Sequence, residues 1–239
     1  MESKSIVWKV EGRVNDPQGF ENLVKEIAQK SHTQSGTNLY WWTISSDGKV
    51  YCDFDCYKDE ESAFEHLKVW GEFAERFSQV ATIDKFILLG DASDKLRDSF
   101  KGLPMYNLPY YGGFRKDAPA SKKSESSDII WTLKGKVTDW DKFYESMVTL
   151  TSKTETEEGS LMHWWCADKE SGIFHVIERY ADDEAAMKHL ETWSKYGNLF
   201  MESTEIAKFI TFNTLSSELL AAVSGLNPIQ MNFFVGFGR

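Results

Sequence analysis

Apolar and polar residues in the first part of the chain follow strand and helix periods in turn. The segment "IVWKVEGRV" (6–14) is rich in β-branched residues and alternates, which predicts a strand. Between Phe20 and Ala28 the apolar residues recur at helical spacing. The segments "NLYWWTIS" (38–45) and "VYCDFDCY" (50–57) flank an Asp-Gly pair, which predicts a β-hairpin.

A second helix and a closing strand follow the hairpin. After the acidic "KDEES" (58–62), an apolar stripe runs at helical spacing from Ala63 to Phe77, and "IDKFILLG" (83–90) has the composition of a strand. The predicted order is β-α-β-β-α-β, which is the ferredoxin-like arrangement. A short helix and an extended tail ending in "GGF" come next.

The whole pattern occurs twice. The doublet Trp41-Trp42 returns as Trp164-Trp165, an offset of 123 residues, and "GLPMYNLPYYGGF" (102–114) matches "GLNPIQMNFFVGF" (225–237) at the same offset. Such self-similarity indicates an internal duplication. We therefore predict an α+β fold of two tandem ferredoxin-like repeats, 5–116 and 128–239, joined by a polar linker, 117–127. Each repeat leaves one sheet face bare, so we expect the two faces to pack together as a pseudo-dimeric α+β barrel.

Composition narrows the possible partners. The chain has 239 residues and a net charge of −10 without a basic patch, which argues against binding to nucleic acid. No run of about 18 apolar residues suggests a membrane span, and the first residues do not resemble a signal peptide, so we expect a cytoplasmic protein. The three cysteines are odd in number and lack C-x-x-C spacing, which argues against a disulfide framework and a zinc knuckle.

The segment "FHVIERYADDEAAMKHLETW" (174–193) resembles the antibiotic biosynthesis monooxygenase-like (ABM) family of the dimeric α+β barrel superfamily, and "YCDFDCYKDEESAFEHLKVW" (51–70) is a looser version. Family members are typically homodimers, so the chain resembles a covalent pseudo-dimer, alone or as a homodimer of it. The resemblance implies a cofactor-independent monooxygenase that binds a small aromatic ligand, phenolic or quinol-type. A non-catalytic small-molecule-binding or structural barrel protein is the first alternative, and a small-metabolite isomerase or lyase is the second.

The chain departs from two branches of that family. In the quinone-forming oxygenases an Asn stands four residues before a Trp on the third strand, whereas here Asp53 precedes Tyr57 and Val176 precedes Tyr180. The haem-degrading branch uses an Asn in the first strand and a His late in the second helix, and neither repeat has them. The resemblance therefore implies neither haem nor any other cofactor.

Matched ionisable residues are the candidates for catalysis. His66 and His189 each lie four residues before a tryptophan on a predicted helix, and imidazole titrates near neutrality, which suits a general base. The matched acids Asp55 and Glu178 share a strand face with Tyr57 and Tyr180, respectively, and such an acid can orient a histidine. Our hypothesis is that the acid, tyrosine and histidine of each repeat line one pocket. We expect the second repeat to be the active one, because it keeps the closer family motif. Buried structural histidines and surface acids are the alternative.

The tryptophans are the candidates for substrate binding. Neighbouring residues of a strand point to opposite faces, so Trp41 and Trp164 share one face and Trp42 and Trp165 the other. Either face can be plain core, or it can line a ligand cavity together with the helical tryptophans, Trp70 and Trp193.

One possible metal site is specific to the second repeat. His163 and His175 lie on the two arms of the second hairpin, and we expect them to face each other across it. A metal site needs a third ligand, and the sequence offers none there. We therefore predict no metal.

Overall fold

A computed structural model describes residues 4–116 and 127–239. The predicted linker, 117–127, lies outside the described residues except for Ser127. The strands of the first repeat are β1 (Ile6–Val14), β2 (Thr37–Ile44), β3 (Val50–Tyr57), β4 (Ala81–Leu89), β5 (Met105–Leu108) and β6 (Tyr110–Arg115). Its helices are α1 (Pro17–His32), α2 (Glu60–Val80) and α3 (Asp94–Asp98).

The second repeat has the same succession of elements. Its strands are β7 (Ile129–Val137), β8 (Ser160–Asp168), β9 (Ile173–Tyr180), β10 (Thr204–Thr211), β11 (Ile229–Gln230) and β12 (Asn232–Gly238). Its helices are α4 (Trp140–Thr154), α5 (Asp183–Tyr196), α6 (Asn198–Ser203) and α7 (Ser217–Val223).

The helices begin at capping residues that recur at the repeat offset. Asp16 accepts a hydrogen bond from the backbone N–H of Gly19 at the start of α1, and Asp139 caps α4 in the same way. Asp59 caps α2 and Asp182 caps α5. A side-chain oxygen at the N-cap satisfies an N–H group that has no partner within the helix. Identical capping chemistry therefore sets matching helix starts in both repeats.

Two six-stranded sheets carry the fold. Their strand orders are β12-β2-β3-β1-β4-β5 and β11-β10-β7-β9-β8-β6. Within each, the four strands of the β-α-β-β-α-β unit are antiparallel neighbours in the order of a ferredoxin-like sheet, and β5 or β11 adds a parallel edge strand. The predicted fold class, a tandem ferredoxin-like α+β protein, is confirmed.

The outermost strands are exchanged between the repeats. Strand β12 from the end of the chain pairs antiparallel with β2, and β6 from the end of the first repeat pairs antiparallel with β8. The chain accordingly divides into a first-repeat unit, which runs to Pro109 and includes Met231–Arg239, and a second-repeat unit, Tyr110–Gln230. The compact units therefore differ from the sequence repeats by one strand each.

In each unit the helices pack on one face of the sheet and build an aromatic core. In the first-repeat unit, Phe20 of α1 and Phe77 of α2 contact Trp42 and Tyr51 of the sheet. In the second-repeat unit, Phe143 of α4 contacts Trp165 in the same way. These cores fix the distance between helices and sheet, and the candidate sites lie in the same layer.

Candidate functional site

Each unit holds a buried carboxylate at the centre of a matched cluster. In the first-repeat unit, the indole N–H of Trp8 and the hydroxyl of Tyr57 both donate to Asp55 Oδ2, the latter at 3.0 Å. The cross-strand pairing of Trp8 with Asp55 brings these side chains together. In the second-repeat unit, Trp131 and Tyr180 donate to Glu178 Oε2, the latter at 2.7 Å.

His66 of α2 completes the first cluster. Its Nδ1 lies 2.9 Å from Gln34 Oε1, and the ring packs against those of Tyr57 and Trp8 with centroids 5.3 and 5.8 Å away. Since Gln34 Oε1 can only accept, Nδ1 carries the proton and Nε2 keeps a lone pair. Burial lowers the pKa of His66 to about 3, so the ring is neutral near pH 7.

Asp53 adds a second acid to this cluster. It lies two residues before Asp55, so both carboxyl groups face the helices, and both are buried. Burial raises the pKa of Asp53 well above its ordinary value, and the neighbouring Asp55 raises it further. Burial also raises the pKa of Asp55, although hydrogen bonds from Asp53, Trp8 and Tyr57 favour its charged form. The two buried carboxyl groups interact electrostatically, and two like charges so close together favour a state in which one of the pair keeps its proton.

An aromatic cavity of about 150 Å³ borders the first cluster. Asp53, Asp55 and His66 contribute its polar wall, whereas Trp8, Trp42 and Trp70 are among the aromatic residues that form the rest. Of the predicted trio, Asp55 and His66 thus share a cavity, and Tyr57 supports both of them without being part of the wall.

The second cluster has a different charge pattern. His189 Nδ1 lies 3.1 Å from Glu157 Oε2 and its Nε2 lies 3.5 Å from Glu178 Oε2. His163 places its Nε2 3.4 Å from Glu178 Oε1. Burial alone would raise the pKa of Glu178, but its electrostatic interaction with His189 and the contacts of His163 and Tyr180 lower it to about 2. Burial lowers the pKa of His163, against the influence of Glu178.

A cavity of about 200 Å³ borders the second cluster. Glu178, Trp131 and Trp193 form part of its otherwise apolar wall. Within the described part of the chain, neither His189 nor Tyr180 belongs to that wall, although both contact Glu178. The predicted trio is therefore assembled in the second-repeat unit, but Glu178 alone of the three reaches the cavity.

The expectation that His163 and His175 face each other is wrong. His163 pairs with Glu178 and His175 pairs with Cys166, because the hairpin pairs Asp168 with Ile173 and is centred nearer to the C-terminal arm than expected. His163 lies on the helix-facing side with Trp165, whereas His175 alternates with Phe174 and Val176 of the helix-side core and points to the other face.

The tryptophans of the two doublets lie on opposite faces of their sheets, as predicted. Trp42 and Trp165 lie in the helix-side cores, and Trp42 lines the first cavity. Trp41 and Trp164 are buried on the opposite face, where their rings contact the matched residues Phe233 and Tyr110. The helical Trp70 and Trp193 each line the cavity of their own unit.

Several residues of the two clusters were not singled out from the sequence as site residues. From the sequence, Trp8 and Trp131 are matched residues of strand-like segments without a site motif, and Asp53 is a departure from a family motif. The sequence predicts a different neighbour for His163, and Gln34 and Glu157 are matched loop residues without a recognisable motif. A useful signal was available in the alternation of β3, which puts Asp53 on the same face as Asp55.

Comparison with known proteins places the chain by fold. No protein-family model and no curated protein sequence matches it. A "putative monooxygenase" from Lactobacillus acidophilus is similar in structure, with a TM-score of 0.60 and 15% identity over 87% of this chain and 91% of that one. One from Fusobacterium nucleatum gives a TM-score of 0.61 and 14% identity, over 87% and 95%. A "putative chlorite dismutase" has a TM-score of 0.51 and 8% sequence identity, and the match covers 92% of this chain and 98% of that one.

At these identities the similarity establishes the tandem ferredoxin-like fold that such monooxygenase structures share. Among the helices of the described residues, none is both long enough and apolar enough to span a membrane.

Proposed function

We propose that this protein is an ABM-like, cofactor-independent monooxygenase that acts on a small phenolic or quinol-type substrate in the cavity of the first-repeat unit. The observation that carries the proposal is the buried Asp53–Asp55 pair, which borders an aromatic cavity together with neutral His66. The choice of dioxygen chemistry comes from the sequence resemblance to the ABM family and from the names of two structures with the same fold.

The acid pair is suited to abstract a proton. A pair that shares one proton carries a single negative charge, and burial raises the pKa of both groups. General bases are most effective when their pKa lies near the working pH. Glu178, whose pKa is lowered to about 2, is a much weaker base. For this reason we assign the reaction to the first repeat, although the second keeps the closer sequence motif.

The other groups in the cavity orient the substrate. His66 Nε2 accepts a hydrogen bond from a substrate hydroxyl, since its Nδ1–H is committed to Gln34. The walls of Trp8, Trp42 and Trp70 pack against an aromatic ring and exclude water. An apolar cavity of about 150 Å³ holds one benzene ring, so we expect a substrate with a single aromatic ring.

The reaction balances without an external reductant. Deprotonation by the acid pair makes the quinol electron-rich, and the resulting anion reduces dioxygen. One oxygen atom forms a bond to a ring carbon, the O–O bond breaks, and the second oxygen leaves as water with two substrate hydrogens. A hydroquinone and one dioxygen thus yield a hydroxyquinone and one water.

Oxygen consumption with a panel of single-ring quinols and phenols tests the proposal. We expect uptake by the wild type that falls about 100-fold or more in Asp55→Asn, because a general base typically contributes that much. Asp84→Asn, which alters a largely exposed carboxylate of the same sheet, should keep wild-type activity. If the wild type takes up no oxygen with any of these substrates, the oxygenase proposal fails.

The same base could serve an isomerase or lyase, since those reactions also begin with proton abstraction. Substrate turnover without oxygen uptake, again lost in Asp55→Asn, would favour that alternative. Binding without turnover would favour a non-catalytic binding protein.

A further inference from the structure

We propose that His163, Glu178 and His189 bind one divalent first-row transition-metal ion, such as Zn²⁺ or Fe²⁺, in the second-repeat unit. Each residue offers one ligand atom, and the three atoms lie within 4.8 Å of one another. All three side chains are fully buried. Two imidazoles and one carboxylate form a common ligand set for these ions. The site shares no residue with the cavity proposed for oxygenation.

The distances fit a shared ion better than they fit hydrogen bonds. His163 Nε2 lies 3.4 Å from Glu178 Oε1, and His189 Nε2 lies 3.5 Å from Glu178 Oε2. A charge-assisted hydrogen bond between such groups would be shorter, at about 2.7–2.9 Å. Two ligands about 2.1 Å from one tetrahedral ion are separated by about 3.4 Å, which is the distance between His163 Nε2 and Glu178 Oε1.

The inward-facing atoms lack other partners. Among the residues that the structure describes, none makes a well-formed hydrogen bond with His163 Nε2, His189 Nε2 or Glu178 Oε1. Three unsatisfied polar atoms at one buried point are unfavourable, because each has lost its hydration without replacement. A metal ion that accepts a lone pair from each atom satisfies all three.

The surrounding hydrogen bonds leave two of the three ligand atoms available, those of His189 and Glu178. His189 Nδ1–H donates to Glu157 Oε2 at 3.1 Å, which keeps a lone pair on Nε2. Trp131 and Tyr180 donate to Glu178 Oε2 and leave Oε1 for the ion. Carboxylates behind ligating histidines are typical of metal centres, so we assign Glu157 as a positioning residue.

His163 must change its own contact when it binds the ion. The indole N–H of Trp165 lies 3.4 Å from His163 Nδ1. Ligation through Nε2 moves the ring proton to Nδ1, so this contact has to open. Metal binding should therefore change the fluorescence of Trp165.

The first repeat lacks an equivalent site. Tyr40 stands at the position of His163, so only Asp55 and His66 remain of the ligand set there. We accordingly expect one ion per chain. Three protein ligands leave a coordination position for water or a small oxygen ligand, and Glu178 connects the site to its cavity.

Calorimetric titration of chelator-treated protein with Zn²⁺ tests the site. We expect one ion per chain for the wild type. Affinity should fall at least 100-fold in His163→Tyr, which installs the first repeat's residue, and in Glu178→Gln. The matched control is His66→Gln, which removes the equivalent histidine of the other repeat and should bind as the wild type does.

Two measurements keep the test decisive if the ligand variants unfold. Glu157→Gln retains all three ligands and should bind Zn²⁺ about 10–100-fold more weakly. Co²⁺ bound to the wild type should give the absorption spectrum of a low-coordinate site with nitrogen and oxygen ligands. The proposal is overturned if the chelator-treated wild type binds no Zn²⁺, if folded His163→Tyr binds it equally well, or if bound Co²⁺ retains the spectrum of the hydrated ion.

Discussion

Three matched substitutions give the two clusters opposite charge patterns. Asp53 corresponds to Val176, Tyr40 to His163 and Gln34 to Glu157, while the central acid, tyrosine, tryptophan and histidine recur in both repeats. The first cluster consequently has two acids beside a neutral histidine, and the second has an ionised acid between two histidines. This difference in charge is why we propose proton abstraction in one unit and a metal site in the other.

The acid pair should reduce stability as the pH rises. Because the folded pKa values of Asp53 and Asp55 are raised, the folded state retains protons that the unfolded state loses above about pH 4. The contribution of this pair to the free energy of unfolding should therefore decrease from pH 4 upwards. Asp53→Asn should be more stable than the wild type by about 1–3 kcal/mol at pH 8 and nearly equal to it at pH 4. Urea unfolding at both pH values checks this, and a variant that is less stable at pH 8 would contradict it.

Glu178 should have the opposite pH dependence. Its folded pKa of about 2 lies below the ordinary value of 4.5, so its ionised form stabilises the fold above pH 4.5, and this contribution is lost as the pH falls toward 2. With chelator present, Glu178→Gln should cost about 3 kcal/mol at pH 7 and much less at pH 2.5. The exposed control Glu191→Gln should change stability little at either pH. A pH-independent loss would show that packing rather than charge is involved.

At the scale of elements, the exchanged strands depend on two matched glycines. Gly113 in β6 and Gly236 in β12 have φ angles of +120° and +155°, where side chains are strained. A Cβ at Gly236 would lie 2.1 Å from the carbonyl oxygen of Tyr40, and one at Gly113 would lie 2.0 Å from that of His163. Because a glycine lets the two backbones come this close, each exchanged strand can pair with its neighbour next to a shift in the hydrogen-bond register.

Replacing either glycine should weaken the exchanged strand. We expect Gly113→Ala and Gly236→Ala each to reduce the free energy of unfolding by about 2–3 kcal/mol, from backbone strain and the clash with the neighbouring strand. Gly71→Ala is the control, since it lies in α2 with open space around its Cβ, and it should add up to about 1 kcal/mol. Denaturant unfolding measures all three, and unchanged stability in both strand variants would argue against these pairings.

The sequence predicts the order of the elements but not the exchange. The hydrophobic periods and the N-capping aspartates recur at one offset, so the order β-α-β-β-α-β follows for both repeats. The "GGF" and "VGF" tails occupy equivalent positions in the two repeats, and so do β2 and β8. Pairing within a repeat and pairing between repeats therefore satisfy the same pattern, and only the three-dimensional path of the chain distinguishes them.

The sequence predicts the members of the site better than their arrangement. The recurrence of the acid, tyrosine and histidine identifies Asp55 with His66 and Glu178 with His189, which do cluster. The position of His163 depends on the hairpin register, and a small error there moves a residue to another partner and another face. The cavities depend on the distance between helices and sheet, which no local pattern encodes.

At the scale of the whole molecule, strand exchange makes the two repeats depend on each other. Repeats 1–116 and 128–239 produced as separate polypeptides should co-purify as a folded complex, because each supplies an edge strand to the other's sheet. Alone, each should self-associate through an unpaired edge. A 128–231 polypeptide, which lacks β12, should bind 1–116 more weakly. Size-exclusion chromatography measures the association of these polypeptides, and two stable monomers that do not bind each other would contradict the prediction.

The most direct test of the central claim follows labelled dioxygen into the product of a single-ring quinol. With ¹⁸O₂, we predict one ¹⁸O atom per hydroxyquinone, provided that the product is reduced at once so that it cannot exchange oxygen with water. Hydrogen peroxide should not accumulate, and Asp55→Asn should abolish the labelling. An unlabelled product, or equal labelling by Asp55→Asn and by heat-denatured protein, would contradict the assignment of the first-repeat cavity as an oxygenase site.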